Sequence, residues 1–184
     1  MKRKLKIILI DMDGVIANFD RGLVRVMKKE LPEIPITPYR NRTAFYFKDN
    51  FDKKDYKKIQ EIERRPGFFK TLPIVPNAKE AISEISKRGH NVKICSSPLI
   101  HNPTCASDKY SWLEEKFGSY LAKQLIITKD KTLVKGDILI DDRPEIRGNY
   151  TPKWEYVLFD RPYNKYFPGR RINWSNWKSV LTEL

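Results

Sequence analysis

Asp11-Met12-Asp13-Gly14-Val15 is the segment whose residue types and spacing most directly suggest chemistry. Along an extended backbone residues i and i+2 face the same side, so Asp11 and Asp13 can point into one pocket. Two carboxylates that close repel each other unless a cation or a shared proton compensates. Mg²⁺, a hard ion that prefers oxygen ligands, is the natural partner. Gly14 permits a tight turn and a close approach of a ligand to the backbone. In the functional reading Asp11 attacks phosphorus and forms an aspartyl-phosphate, a role carboxylates are known to take. Asp13 then protonates the leaving alkoxide and activates water for the second step. A bare Asp-x-Asp also suits an acidic turn that caps a helix. The apolar run in front and the glycine behind favour the site.

Four further features fall where such a reaction needs them. In Cys95-Ser96-Ser97-Pro98, Ser96 can donate its hydroxyl to a phosphoryl oxygen, and Ser97 with nearby backbone N–H groups extends the cradle. The same residues would serve as an ordinary strand-to-loop turn. Lys131 follows another apolar run and can offset the charge of phosphate and nucleophile; Lys129 and Lys135 compete for that role. Asp141-Asp142-Arg143 closes a third such run. Adjacent strand residues face opposite sides, so one aspartate of this pair should meet the metal and the other orient Lys131 or a metal-bound water. Phe19, Phe45, Tyr46 and Phe47, with Arg40 and Arg42 nearby, offer rings that stack on a nucleobase. Equally, they could be the small core of a helical segment.

The elements that must position these groups are readable. Ile7–Ile10, Val92–Cys95, Leu125–Ile127, Ile138–Ile140 and Tyr156–Phe159 are short apolar runs of the kind buried on both faces of a parallel sheet. Asn77 and Glu80 have capping-box spacing ahead of a helix with Ala78, Ala81, Ile82 and Ile85 on one face and Gly89 at its end. A second helix is predicted over Asp108–Phe117, with Tyr110, Trp112, Leu113 and Phe117 as its apolar surface and Gly118 as its stop. The tail bearing Trp174, Trp177, Val180 and Leu181 reads as a terminal helix. Strands alternating with helices indicate an α/β fold, a sheet covered on both faces. The stretch 19–73 is basic, aromatic and proline-bearing, and reads as a helical insertion with helices near Arg21–Leu31 and Lys53–Arg64. Placed directly after the first strand, it would sit as a lid over the strand ends, where open α/β sheets bind ligands.

With 184 residues, one domain spanning 1–184 is the default. Lys and Arg number 36 and Asp and Glu 23, a net +13 that suits anionic partners or simple solubility. The two cysteines exclude a disulfide-dense scaffold and a four-cysteine zinc site. Cys95 in an apolar run and Cys105 in a polar loop point to a reduced, cytoplasmic setting. No run approaches the ~20 apolar residues that span a bilayer. The basic start, residues 1–4, imitates a signal peptide, but the apolar run behind it is short, contains Lys6 and ends in Asp11; it reads as a buried first strand.

Taken in order, Asp-x-Asp-Gly-Val, the serine after the second strand, the lysine and the Asp-Asp pair resemble the haloacid dehalogenase superfamily, on its phosphatase side. The match is closer to the 5′(3′)-deoxyribonucleotidases. It is carried by Asp11 to Phe19, Cys95-Ser96-Ser97-Pro98, Lys109-Tyr110-Ser111-Trp112-Leu113-Glu114, Asp130-Lys131-Thr132, Ile140-Asp141-Asp142-Arg143-Pro144 and Trp154 to Phe159. This resemblance implies a Rossmann-like three-layer core with a small helical cap inserted after the first strand. It implies Mg²⁺ held by the Asp11 side chain, the Asp13 carbonyl oxygen and Asp142. It implies Asp11 as nucleophile, Asp13 as acid/base, Ser96 and Lys131 on the phosphate, and Phe19, Phe45 and Tyr46 around the nucleoside. Ser96 replaces a threonine of several relatives, Asn18 a frequent aspartate, and no tryptophan stands around Gln60–Glu63 where the animal enzymes carry one.

The expected activity is therefore a Mg²⁺-dependent phosphatase acting on deoxyribonucleoside or ribonucleoside monophosphates, small-molecule substrates, with a homodimer left open. A related phosphatase acting on another small ester or a nucleic-acid end is the alternative. A basic nucleic-acid-binding module is disfavoured, because the acids gather at strand ends where that reading wants cations.

Overall fold

A computed structural model describes residues 4–182; residues 1–3, most of the basic start discussed above, lie outside it. Six parallel strands form one sheet: β1 (Ile7–Ile10), β2 (Asn91–Ser96), β3 (Leu125–Ile127), β4 (Ile138–Asp141), β5 (Glu155–Phe159) and β6 (Arg171–Ile172). Their order is β3-β2-β1-β4-β5-β6. The first five are the runs read from the sequence. The sixth has two residues, too few to carry a pattern. β1 is central, with Ile10 paired to Ile94 on one side and Ile140 on the other. The chain runs outward from β1 through β2 and β3, then returns to β4 on the opposite side. The order reverses between β1 and β4, and the carboxyl ends of these strands flank a crevice.

The helices are α1 (Phe19–Glu30), α2 (Lys53–Arg64), α3 (Ala78–Lys87), α4 (Cys105–Phe117), α5 (Ser119–Ala122) and α6 (Trp177–Val180). Side-chain alternation along β1 divides the core. Ile8 and Ile10 join the larger cluster with Ala81, Ile82 and Ile85 of α3 and Trp112 and Leu113 of α4. Leu9 faces the other way, with Cys95, Leu139 and Trp154. Each such fully buried aliphatic side chain contributes about 1.5–3 kcal/mol. The second face is thinly covered. Among the described residues the segment 123–176 holds only 3₁₀ turns, at Lys131–Leu133 and Pro162–Asn164, besides strands and loops.

The stretch after β1 is helical, without a strand among its described residues. α1 starts at Asn18, whose Oδ1 accepts from the Arg21 N–H at 3.1 Å. α2 starts at Asp52, whose Oδ1 accepts from the Asp55 N–H at 2.8 Å. Leu23 and Met27 of α1 share buried surface with Ile59 and Ile62 of α2. Three short 3₁₀ turns, Tyr39–Asn41, Phe47–Asn50 and Phe69–Thr71, complete the segment.

Local details differ from expectation. Asn77 does precede α3, but with φ 63° and no side-chain cap; an N-cap that bonds the first-turn N–H groups needs an extended backbone. Its amide instead donates to Ser175 Oγ at 3.2 Å. α4 begins at Cys105, three residues ahead of the predicted Asp108, so Cys105 is a buried helical residue and not part of a polar loop. Tyr110 of α4 is exposed and contributes little apolar packing. The terminal helix is one turn, with Trp174 buried ahead of it.

Candidate active site

The Asp11 N–H donates to the Ile140 carbonyl at 2.8 Å, extending the β1–β4 ladder into the crevice. The chain then turns sharply, and the Met12 carbonyl accepts from Val15, Ile16 and Ala17 at 2.8–3.2 Å. Gly14 sits at φ +80°, and a Cβ there would lie 1.9 Å from Asp142 Oδ2. Both the conformation and the approach of Asp142 require glycine.

Lys131 Nζ donates to Asp11 Oδ1 at 2.5 Å and to Asp141 Oδ2 at 2.6 Å. Asp141 Oδ1 accepts from the Arg143 N–H at 3.0 Å, so both oxygens of Asp141 are engaged. Asp142 accepts from the Tyr163 hydroxyl, and its backbone carbonyl is held by Asn164 Nδ2 at 2.7 Å. One carboxylate oxygen each from Asp11, Asp141 and Asp142 lies within 4.8 Å of the others, and all three residues are buried.

This crowding sets the proton affinities. Burial pushes Asp11 up to about 6, against the pull of Lys131. Burial, then the charges of Asp141 and Asp11, drives Asp142 well above the ordinary carboxylate range. Asp141 is buried too, but the Lys131 ammonium and its hydrogen bond outweigh that and hold it low. Lys131 thus serves two of the three acids, and Asp142 has the Tyr163 hydroxyl and the charge of Arg161. An all-oxygen donor set with uncompensated negative charge fits a hard divalent cation. Asp11 and Asp142 are the members with an oxygen left for it.

Beside this cluster, α4 delivers Lys109, which has no exposed surface. Its Nζ donates to Asp13 Oδ2 at 2.7 Å, Ser96 Oγ at 2.8 Å and the Ser97 carbonyl at 2.7 Å. Ser96 accepts from the ammonium, so its own hydroxyl proton is left to donate elsewhere. Asp13 Oδ1 is buried without a hydrogen-bond partner among the described residues. The sequence marks Lys109 only through its place in a family motif. The available signal was spacing: Cys105, Lys109, Trp112 and Leu113 fall at i, i+4, i+7 and i+8, one helix face. A lysine on an apolar face implies a buried partner.

A cavity of about 330 Å³ joins these groups. Asp11, Asp13, Ser96, Ser97, Lys131 and Asp142 line it from the strand ends, and Phe19, Phe45 and Tyr46 from the helical segment. All nine residues predicted to form the site therefore meet in one cavity. Phe47, Phe69 and Tyr56 extend the aromatic side. Phe19 also packs edge-on against Phe68 at 5.7 Å, so it serves the segment's own core as well. Arg42 is buried, ion-paired to Asp20 and stacked over Phe47 and Tyr163 at 4.9 and 4.4 Å; it braces the wall. Arg40 is exposed and outside the cavity; Lys129 lines it and Lys135 does not. Tyr163, Arg161 and Asn164, unflagged by sequence, lie in a turn after β5. There Arg161 Nε donates to the Gly14 carbonyl at 2.6 Å.

Known proteins resemble this chain over nearly its whole length. The family model described as 5′ nucleotidase, deoxy (pyrimidine), cytosolic type C protein matches residues 5–183. A Bordetella bronchiseptica protein provisionally named 5′(3′)-deoxyribonucleotidase is 40% identical over 176 residues, covering 95% of each chain. The human cytosolic-type 5′(3′)-deoxyribonucleotidase is 37% identical over 194 residues, 98% of this chain and 95% of its own. Among solved structures, a HAD-family hydrolase from Deinococcus radiodurans with bound phosphate and sodium shares the fold. Its TM-score is 0.60 at 13% identity, over 99% of this chain and 97% of that one.

Proposed function

Because the chain belongs to the cytosolic type C 5′ nucleotidase family of haloacid dehalogenase-type phosphoric monoester hydrolases, we propose that it dephosphorylates deoxyribonucleoside monophosphates through a phosphorylated Asp11. One observation carries the reading: carboxylates, a lysine and a serine from four strand ends face an aromatic wall across a single cavity.

The reaction divides in two. An Asp11 carboxylate oxygen attacks phosphorus, the ester P–O bond breaks, and the leaving alkoxide takes a proton from Asp13. Asp13 then takes a proton from water, whose oxygen attacks the same phosphorus and returns Asp11 as a carboxylate with release of phosphate. Lys131 and the Ser96 hydroxyl offset charge on the phosphoryl oxygens. Lys109 holds one oxygen of Asp13 and so leaves the other, Oδ1, for the proton transfers. Asp11, Asp142 and the Asp13 carbonyl would hold Mg²⁺, which supplies further charge neutralisation there.

The segment 19–73 acts as a cap over the strand ends. Phe19, Phe45 and Tyr46 line the nucleoside side, and Ser97 adds to the phosphate cradle. Closure of the cap excludes bulk water during the first step. Two buried free cysteines suit a reducing compartment such as the cytoplasm. The test is phosphate release from dUMP, UMP, a sugar phosphate and a 3′-phosphorylated oligonucleotide, with and without Mg²⁺. Metal-dependent turnover greatest on the mononucleotides supports the reading; equal rates on the sugar phosphate, or turnover indifferent to metal, contradict it.

A further inference from the structure

The cavity wall opposite the strand ends is aromatic, with a buried acid set among the rings. Glu63, in the last turn of α2, is only 6% exposed and lines the cavity beside Tyr56 and Phe69. Asn102 Nδ2 donates to its backbone carbonyl at 2.9 Å and pins this end of the helix. Among the described residues its carboxyl has one hydrogen-bond partner, the Tyr56 hydroxyl, 3.5 Å from Oε2. That is the outer limit of such a bond, so the carboxyl has bonding capacity left over.

A purely structural acid at this depth is ordinarily paired with a cation. Glu63 is not. The charged groups around it are Arg64 on its own helix, which is exposed, and Arg42 from the connector before α2. Arg42 is committed to Asp20 and to the Phe45 carbonyl. Tyr56, on the same helix, is the remaining titratable neighbour. Burial pushes Glu63 up to about 7, against the hydrogen bond from Tyr56 and the charges of Arg64 and Arg42. Below that point the carboxyl presents an O–H donor and a C=O acceptor side by side.

Aromatic faces can stack on a planar ring, but they offer nothing to its polar edge. We propose that Glu63 determines specificity by receiving the polar edge of a pyrimidine base, an N–H beside a C=O as in uracil or thymine, while the surrounding rings hold its faces. The inference rests on the nucleotidase reading and adds to it the residue that recognises the base.

The test compares kcat/KM for dUMP with that for 2-deoxyribose 5-phosphate, which lacks a base, from about pH 6 to about pH 8. The ratio between them is the readout. In the wild type it should fall as pH rises through about 7, where the donor proton is lost. Glu63→Gln keeps a donor and an acceptor at every pH and should hold the ratio high and flat. Glu63→Met keeps the size without the polar atoms and should lower the ratio about tenfold, the worth of one to two hydrogen bonds. A folded Glu63→Met variant that keeps the wild-type ratio overturns the proposal. If that variant does not fold, Glu63→Gln decides: an unchanged pH inflection in the ratio overturns it, and loss of the inflection supports it. A wild type with no preference for dUMP over the base-free sugar would instead overturn the nucleotidase reading on which the inference stands.

Discussion

The two walls of the cavity are built on different principles. On the strand-end wall, charged side chains are fixed by partners remote in sequence: Lys131 by Asp11 and Asp141, Lys109 by Asp13 and Ser96. Each group is rooted in a strand, the turn that follows one, or a buried helix face. The opposite wall is drawn from the helical segment after β1, in good part from its 3₁₀ turns and connectors. It is held by ring contacts, such as Phe45 against Tyr163 at 5.7 Å, and by the bracing of Arg42. Hydrogen bonds between charged groups specify position to a fraction of an ångström, whereas ring contacts tolerate sliding. The difference implies a division of labour. Reaction chemistry belongs to the rigid wall, and substrate choice to the softer one.

Substitutions can break that division or sharpen it. Lys109→Met should do the most damage short of removing the nucleophile. It strips the half-buried Asp13 of its cation and leaves that carboxylate uncompensated. Turnover should fall about 100-fold or more, the scale of general acid–base catalysis, with KM little moved. Steady-state kinetics and a thermal melt check both. Chelation should abolish turnover, and added Mg²⁺ should restore it and raise the melting temperature, as any ligand bound only by the folded state does. Tyr163→Phe removes the hydroxyl donated to Asp142; Mg²⁺ affinity should weaken about 10- to 100-fold by titration, the usual cost of losing a ligand's own support. On the aromatic wall, Phe45→Ala should raise KM for a nucleotide about tenfold, consistent with one lost stacking contact, and lower kcat much less. A larger effect on kcat than on KM would erase the distinction between the walls.

A separate effect concerns stability. Folded Glu63 keeps its proton up to about pH 7, whereas the unfolded chain releases it near the ordinary 4.5. Between those values the folded state binds more protons, so stability declines as pH rises through that window. The full decline amounts to about 3 kcal/mol at most. Glu63→Gln should flatten it, as seen by denaturant melts from about pH 5 to about pH 8.

The same contrast explains what the sequence reveals. Strand-end residues are legible because an apolar run fixes where the strand stops, and the next residue must enter the crevice. Asp11, Ser96 and the Asp141-Asp142 pair are legible this way, whereas the choice of Asp142 over Asp141 for the metal comes only from the family resemblance. Lys131 follows in a turn four residues past β3, where the apolar run narrowed the choice but left Lys129 and Lys135 as competitors. Lys109 is missed, since finding it requires a helix pattern that accepts a lysine on the apolar face. Tyr163 and Arg161 were not legible. Their turn has no period, and its position over Gly14 depends on how β5 pairs with β4. Asn77 marks the opposite failure, a capping pattern that was present but unused, because a left-handed backbone turns its amide toward Ser175.

The central claim is that Asp11 carries the phosphoryl group. Its most direct test is acid quenching during turnover of a substrate labelled in the phosphate, followed by peptide mapping. We expect label on the peptide bearing Asp11, none in Asp11→Asn, and at least a 10⁴-fold loss of turnover in that folded variant. Full-rate phosphate release with no label on that peptide, or label retained in Asp11→Asn, would contradict the account.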